Sequence, residues 1–400
     1  MSWINKITKN YLKNLKLENN YRTFNKIENL QQPYSYYKGK KVINWSNNDY
    51  NNIIHNPNVK STMVKSIYKN GCGSGGTRNI SGSHLSHDLL EKKIAKFHNK
   101  ESGLLFNSGY LANYTTIKSF GKLFPNAEIF SDKDNHASII NGINASKLKK
   151  HIFEHNNLND LEKKLEKSKS PNKIIILESI YSMDGTVAPL DDLKIISKNY
   201  NTLTYIDEIH ATGVYGNNGG GLSEYYNAQD NLDIIMGGFG KGFGVVGGYI
   251  TGNHLLIDSI RSCGSGFIFT TAIPPHIADG ISTSIDEVSK NIKTTQLDRD
   301  ILIEYFKNTA GILNVPIIKN NFDKSHLQFI IIGNAELCKK ISNILLYKYN
   351  HYVQHINYPT VPYNKERLRI SLKSYHTKEM IYNFLYTFSN IYNKLLSQKI

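Results

Sequence analysis

Between about residues 60 and 285 the chain alternates short apolar runs with helical segments, and this restricts its fold more than any other feature. Glu128–Ser131, Lys173–Leu177, Leu203–Ile206 and Leu232–Met236 read as strands, with Asp160–Lys167 and Leu190–Lys198 as helices between them. A helical crossover brings the next strand back in the same direction, so such strands pair in parallel. The expectation is an α/β fold whose mostly parallel sheet is covered on both faces. Residues 1–45 read as a helix followed by an irregular, Tyr-rich arm. Residues 46–290 read as a large domain and 291–400 as a small C-terminal α/β domain, with strands at Leu327–Ile332 and Tyr352–Gln354.

Composition excludes several classes. The formal charge of +15 is not a nucleic-acid footprint, because lysines are spread along the chain and interleaved with acids, as in Glu162–Lys169. Cys72, Cys263 and Cys338 are too few and too scattered for a disulfide framework or a thiolate metal centre, so no metal is expected. No apolar run approaches the roughly 18 residues of a membrane span, so no membrane partner is expected. The first twenty residues lack arginine and a small-residue cleavage site. A cytoplasmic setting of bacterial type is expected, or the mitochondrial matrix in a eukaryotic host. Only six of the 48 basic residues are arginine, and an arginine kept against that bias suits a bidentate carboxylate clamp.

Ligands in a parallel sheet bind beyond the carboxyl ends of its strands. Four strands here run into polar segments: Ser131–His136, Glu178–Ser182, Asp207–His210 and the loop Gly237-Gly238-Phe239-Gly240-Lys241-Gly242-Phe243-Gly244. Glycines around Lys241 admit a bulky planar ligand, and the flanking apolar strands desolvate the amine, as an imine-forming lysine requires. Asp207 would pair with a cationic ring nitrogen, and His210 would donate to a phenolate oxygen. His136 would stack on a ring, and Ser108-Gly109-Tyr110 before a helix would offer main-chain amides to a phosphate. Pyridoxal phosphate presents those functional points. Other strings are discarded on context. Gly71–Gly76 follows a helical stretch instead of a strand, His151–His155 lies in a β-like run, and Gly242 stands where a phosphate loop needs Ser or Thr.

These residues resemble the α-oxoamine synthases of the fold type I pyridoxal-phosphate enzymes, and among them the 5-aminolevulinate synthases, over about residues 20–385. The resemblance rests on Gly73–Gly82, Asp132–Ser138, Glu178–Gly185, Tyr205–Ala211, Gly266–Thr271, Ile356–Pro362 and Glu366–Arg369. It implies that the fold is that of the aspartate-aminotransferase-like enzymes and that the reaction joins glycine to succinyl-CoA, giving 5-aminolevulinate for haem biosynthesis. It makes Lys241 the cofactor lysine and acid/base, and Asp207 the ring-nitrogen partner. His210 and Ser182 would meet the ring hydroxyl region and His136 the ring face.

Thr270 and Thr271 would reach the cofactor phosphate of a second subunit, implying a homodimer with shared sites. Arg369 would clamp the glycine carboxylate. Arg22 and Thr360 would take the succinyl carboxylate, helped by Asn48, Thr77, Asn79 and Ile80, and Ser131 and Lys150 would contact coenzyme A. Gly238 stands where the family usually has a phosphate-binding threonine, so weaker cofactor retention is expected, relieved by Gly238→Thr. Ser371-Leu372 and Tyr363-Asn364 also depart from the family pattern. The alternatives are a sister synthase using another acyl thioester, and a non-catalytic binding protein that keeps the fold.

Overall fold

The computed structural model describes residues 2–398. By internal packing the chain divides into a larger unit, Asn48–Tyr181 with Val187–Gln296, and a smaller unit, Met1–Asn47, Ser182–Thr186 and Leu297–Ile400.

The larger unit is built on a seven-stranded sheet in the order Ser102–Phe106, Gly248–Gly252, Ile234–Gly238, Leu203–Asp207, Lys173–Glu178, Glu128–Asp132, Lys149–Phe153. Gly248–Gly252 runs antiparallel to both its neighbours, and the other strands are mutually parallel. The strand expected from Leu232 begins instead at Ile234. Asp233 Oδ2 accepts from Thr204 N at 2.7 Å, and Asp233 N donates to Thr204 Oγ1 at 3.0 Å. Side-chain bonds thus replace the first rungs of the ladder.

Alternation along the strands sorts side chains between two cores. Leu104, Phe106 and Ile250 join the cluster beneath helices Gly109–Leu123, Ala137–Ser146 and His254–Cys263. Leu105 and Tyr249 join Leu90, Ile94, Ile281 and Ile285 on the other face, beneath Leu85–Phe97 and the early part of Pro275–Ile312. Each fully buried side chain of this size contributes about 1.5–3 kcal/mol relative to exposure. The sheet is therefore a rigid platform for whatever its strand ends carry.

The smaller unit has its own core, with Trp45, Phe306, Ile330, Leu368, Phe384 and Phe388 buried together. Its three-stranded sheet runs Leu327–Ile331, Arg367–Ser371, Gln354–Ile356, all antiparallel. The arm expected to be irregular instead forms strands Ile27–Asn29, Tyr34–Tyr37 and Lys40–Asn44, joined by His351–Tyr352 into a second sheet. Lys38 and Gly39 both take positive φ, 49° and 75°, which suits a tight hairpin turn. Ser35 and Tyr37 are buried while Tyr36 is exposed. The single strand expected at Tyr352–Gln354 is split between the two sheets around buried Val353.

The asparagine bias has a conformational use. Of the eleven non-glycine residues at positive φ among those described, nine are asparagine, the residue other than glycine that best tolerates the left-handed region. Asn364, with φ 64°, is one of them, at a position noted above as departing from the family pattern. Among the described residues no helix is long and apolar enough to cross a membrane.

Candidate active site

Register aligns the chemistry. Glu178 and Asp207 are Cα partners and both end their strands, while Asp207 pairs with Met236, two residues before the third strand ends. The lysine loop leaves the third strand at Gly238. Phe239 and Phe243 are fully buried in the core below, pinning the loop on both sides of Lys241. Main-chain bonds from Gly244 N to Lys241 O (3.0 Å) and from Val245 N to Phe239 O (2.8 Å) close the turn.

One pocket of the larger unit gathers Lys241, Asp207, His210, His136, Gly109 and Tyr110. Lys241 Nζ and His210 Nε2 share a hydrogen bond, and His210 Nδ1 meets Tyr50 OH at 2.9 Å. Asp207 is 3% exposed. Its Oδ2 accepts from Asn113 Nδ2 at 2.6 Å and its Oδ1 from Ile209 N at 2.9 Å. Asn113 also donates to Ser138 Oγ (2.9 Å) and accepts from Tyr205 OH (2.6 Å), so the carboxylate is held by a buried polar network. His136 Nδ1 accepts from Ser138 N at 3.2 Å, which leaves the ring proton on Nε2.

Burial first, and then the nearby Lys241 charge, hold the His136 pKa below its ordinary value against the opposing pull of Asp207. Its ring is therefore neutral near neutrality. Burial, with the negative charge of Asp207 beside it, pushes the Glu178 carboxyl well above the usual carboxylate range. Glu178 Oε1 accepts from His136 N at 2.6 Å.

This donor set fits pyridoxal phosphate. A buried carboxylate suits a cationic ring nitrogen, an imidazole joined to the lysine suits a ring oxygen, and a neutral flat ring suits the ring face. Ser108 caps helix Gly109–Leu123 by accepting from Leu111 N (3.1 Å), so the N–H groups of Gly109 and Tyr110 lie in the first turn, at the positive helix end where a phosphate binds.

Gly238 packs directly against Ile209. A Cβ there would lie 2.5 Å from Ile209 Cγ1 and 2.6 Å from Ile209 Cδ1. One at Gly109 would press on the same Cδ1 closer still. Ile209, a pocket-lining residue, occupies the room a side chain at 238 would need, so Gly238→Thr has to displace it.

The remaining predicted residues of the larger unit are spread more widely. Thr77 and Thr271 form a β-bridge, with Asn79 and Ile80 exposed beside it; Ile80 is 85% exposed. Thr270 Oγ1 donates to Gly266 O at 2.6 Å, whereas Thr271 is exposed. Asn48 Oδ1 accepts from Tyr50 OH at 3.4 Å. Tyr110 OH accepts from Asn141 Nδ2 at 2.6 Å. Lys150 is exposed, its Nζ 2.5 Å from Asn144 Oδ1. Ser131 makes its hydrogen bonds within the protein. It is 1% exposed, its hydroxyl donates to Asp132 O (3.1 Å), and it accepts from Asn135 Nδ2 (2.9 Å).

Four predicted residues belong to the smaller unit. Arg22 Nη2 donates to Thr360 Oγ1 at 3.3 Å, joining residues 338 positions apart. Arg369 is buried in strand Arg367–Ser371, its Nε donating to Ser182 O at 3.1 Å. Arg367 Nη1 donates to Met183 O at 2.7 Å, so both arginines tie the insert Ser182–Thr186 to that strand.

Sequence reasoning missed Asn113 and Tyr50, and it gave no role to Ser138 or Glu178 although both lie in segments it singled out. Asn113 carried a usable signal, since it lies four residues after Gly109 on the same helix face. Tyr50 carried none, because nothing local links it to a histidine 160 positions away.

The model of the aminotransferase class I and II family matches residues 40–388. The 5-aminolevulinate synthase of Rickettsia bellii is 42% identical over 384 residues, covering 95% of this chain and 92% of that protein. The 5-aminolevulinate synthase of Rhizobium meliloti is 42% identical over 377 residues, covering 92% of each. Among solved structures, serine palmitoyltransferase from S. paucimobilis with bound PLP–myriocin aldimine superposes with a TM-score of 0.90 at 25% identity, covering 99% of this chain and 100% of that one.

Proposed function

Because this chain belongs to the aminotransferase class I and II family and, within it, to the 5-aminolevulinate synthases, we propose that it condenses glycine with succinyl-CoA. The products are 5-aminolevulinate, coenzyme A and carbon dioxide, and 5-aminolevulinate is the first committed precursor of tetrapyrroles such as haem. The observation that carries this reading is the meeting of Lys241, His210, Asp207 and His136 in one pocket.

Bound pyridoxal phosphate supplies an electron sink for the pair left behind when the glycine Cα proton departs. Lys241 Nζ would hold the cofactor at rest and then carry that proton. Asp207, fixed by Asn113 and the Ile209 N–H, keeps a proton on the ring nitrogen. His210, bonded to both Lys241 and Tyr50, orients the amine and faces the ring hydroxyl, with Ser182 assigned to the same oxygen. The neutral His136 ring covers one face and excludes water. Main-chain N–H groups of Gly109 and Tyr110 take the phosphate, since Gly238 has no side chain to offer.

Substrate selection falls to the arginines. Arg369 is assigned to the glycine carboxylate, and Arg22 with Thr360 to the far carboxylate of the succinyl group. The resemblance assigns Asn48, Thr77, Asn79 and Ile80 to the same acyl group, and Ser131 with exposed Lys150 to coenzyme A. A homodimer with Thr270 and Thr271 serving the second subunit belongs to the same reading, supported by the exposure of Phe269 (81%), next to them in the chain, and of Ile80 (85%), three residues beyond Thr77, the bridge partner of Thr271. A cytoplasmic setting belongs to it too.

The purified protein should be yellow, lose its colour to borohydride, and lose the chromophore altogether in Lys241→Ala. It should form an aminoketone from glycine and succinyl-CoA but not from long-chain acyl-CoA thioesters. Turnover confined to another acyl group would overturn the substrate assignment, and a colourless protein that binds no pyridoxal phosphate would overturn the reaction class.

A further inference from the structure

We propose that Asn51 is a positioning residue for Lys241, acting as a strap across the two loops that carry Lys241 and His210. The inference rests on the reading of Lys241 as the cofactor lysine. Asn51 Nδ2 donates to Gly213 O at 2.6 Å and to Gly242 O at 2.8 Å. Gly242 directly follows Lys241, and Gly213 lies three residues after His210. One amide group therefore holds the main chain just beyond each of the two side chains that share a hydrogen bond in the pocket.

The loops need such a fastening because they touch backbone to backbone with little side chain between them. A Cβ on Gly213, which has φ +75°, would lie 3.0 Å from Gly242 C and Cα, and one on Gly242 would strike the Thr212 carbonyl. Two approaching carbonyls repel each other unless a donor is shared between them. Asn51 supplies both hydrogens, and its orientation is fixed, because the flipped amide would set its own oxygen against two carbonyl oxygens. Its Oδ1 is buried with no hydrogen-bond partner, so the residue is not held there by that end.

Neighbouring residues anchor the strap. Asp49 accepts from Ile53 N (2.9 Å) and Ile54 N (3.1 Å), fixing the turn on which Asn51 sits. Tyr50, one residue earlier, bonds the His210 ring at 2.9 Å. The segment thus grips His210 by its ring and the Lys241 loop by its main chain. A misplacement on the order of 1 Å at a reacting group costs about a hundredfold in rate, so loosening this grip bears on the lysine directly.

Asn51→Asp keeps the size but replaces two donors with acceptors, and Asn51→Leu removes both donors without adding charge. Each holoenzyme is measured by pH titration of the absorption band of the lysine-bound cofactor, by steady-state kinetics and by thermal melting. The expected result is a displaced titration midpoint and a fall in kcat of roughly tenfold to a hundredfold, with KM for glycine changed less than about threefold. A titration midpoint and kcat unchanged in both variants, whatever the melting temperature does, would overturn the strap. Failure of both variants to fold would overturn it as well, since Asn51 would then serve folding and not the lysine. If the unsubstituted protein shows no borohydride-sensitive band, the reading of Lys241 fails; a normal band that neither substitution disturbs defeats the strap alone.

Discussion

Glu178 and Asp207 are Cα partners on adjacent parallel strands, so two buried carboxyl groups stand side by side at the carboxyl ends of two interior strands. Burial and the Asp207 charge together keep the Glu178 carboxyl protonated far above its ordinary range. The pair therefore presents one negative charge, as a single cationic ring nitrogen requires, with Glu178 binding the His136 main chain as a neutral group.

That protonation makes apo-protein stability pH-dependent in a defined direction. Glu178 has its folded pKa raised, so above the ordinary carboxylate range near 4.5 the folded state binds more protons than the unfolded state. Its contribution is fully present below that range and is lost as pH rises toward the folded value. Glu178→Gln, which mimics the neutral acid, should gain stability relative to the parent as pH rises from about 5 to 8. Thermal melts of both apo-proteins across that window test this; a parallel pH dependence in the two would refute it.

His136 should act through its flat ring and not through a charge, because burial lowers its pKa from the ordinary 6.5. His136→Phe should keep pyridoxal-phosphate affinity within about fivefold, whereas His136→Ala should lose roughly tenfold, a loss of the order expected for a stacked aromatic pair. Equilibrium binding followed by fluorescence gives both values. A tenfold or larger loss in the phenylalanine variant would point to a polar role for the imidazole.

Gly238 and Ile209 should behave as a coupled pair. Gly238→Thr alone should lower the apo-protein melting temperature, since overpacking costs about 1–3 kcal/mol, and should not tighten cofactor binding. A β-branched isoleucine has few rotamers with which to move aside. Adding Ile209→Ala opens the space, and the double variant should recover most of the lost stability, with a coupling energy of about 1 kcal/mol or more. Additive effects would show that the two side chains do not compete for one volume.

The two arginines should separate the substrates. Arg22→Leu should raise KM for succinyl-CoA roughly tenfold to a hundredfold, the scale of losing a charge-assisted hydrogen bond, with KM for glycine almost unchanged. Arg369→Leu should do the reverse. Steady-state kinetics with each substrate varied in turn would reveal an exchange or loss of this selectivity.

Much of the site was legible because its residues carry local signals. Asp207 and Glu178 sit at the ends of apolar strands, and glycines flank Lys241 on both sides. The phenylalanines that pin the lysine loop, Phe239 and Phe243, also stand in the sequence at symmetrical distances from Lys241. The arm was misread because the left-handed turn at Lys38-Gly39 breaks the usual asparagine–glycine hairpin pattern, leaving only a run of tyrosines.

The sequence by itself determined the strand–helix alternation and the identity of the groups at the strand ends, because hydrophobic periodicity and glycine freedom are local properties. Only the tertiary structure decided that Ser131 is turned inward, that Ile209 takes the space above Gly238, that Arg22 reaches Thr360, and that Asn51 ties two distant loops together. Each of these depends on distances between residues far apart in the chain. Such distances follow from sheet register and loop packing, not from neighbours in sequence.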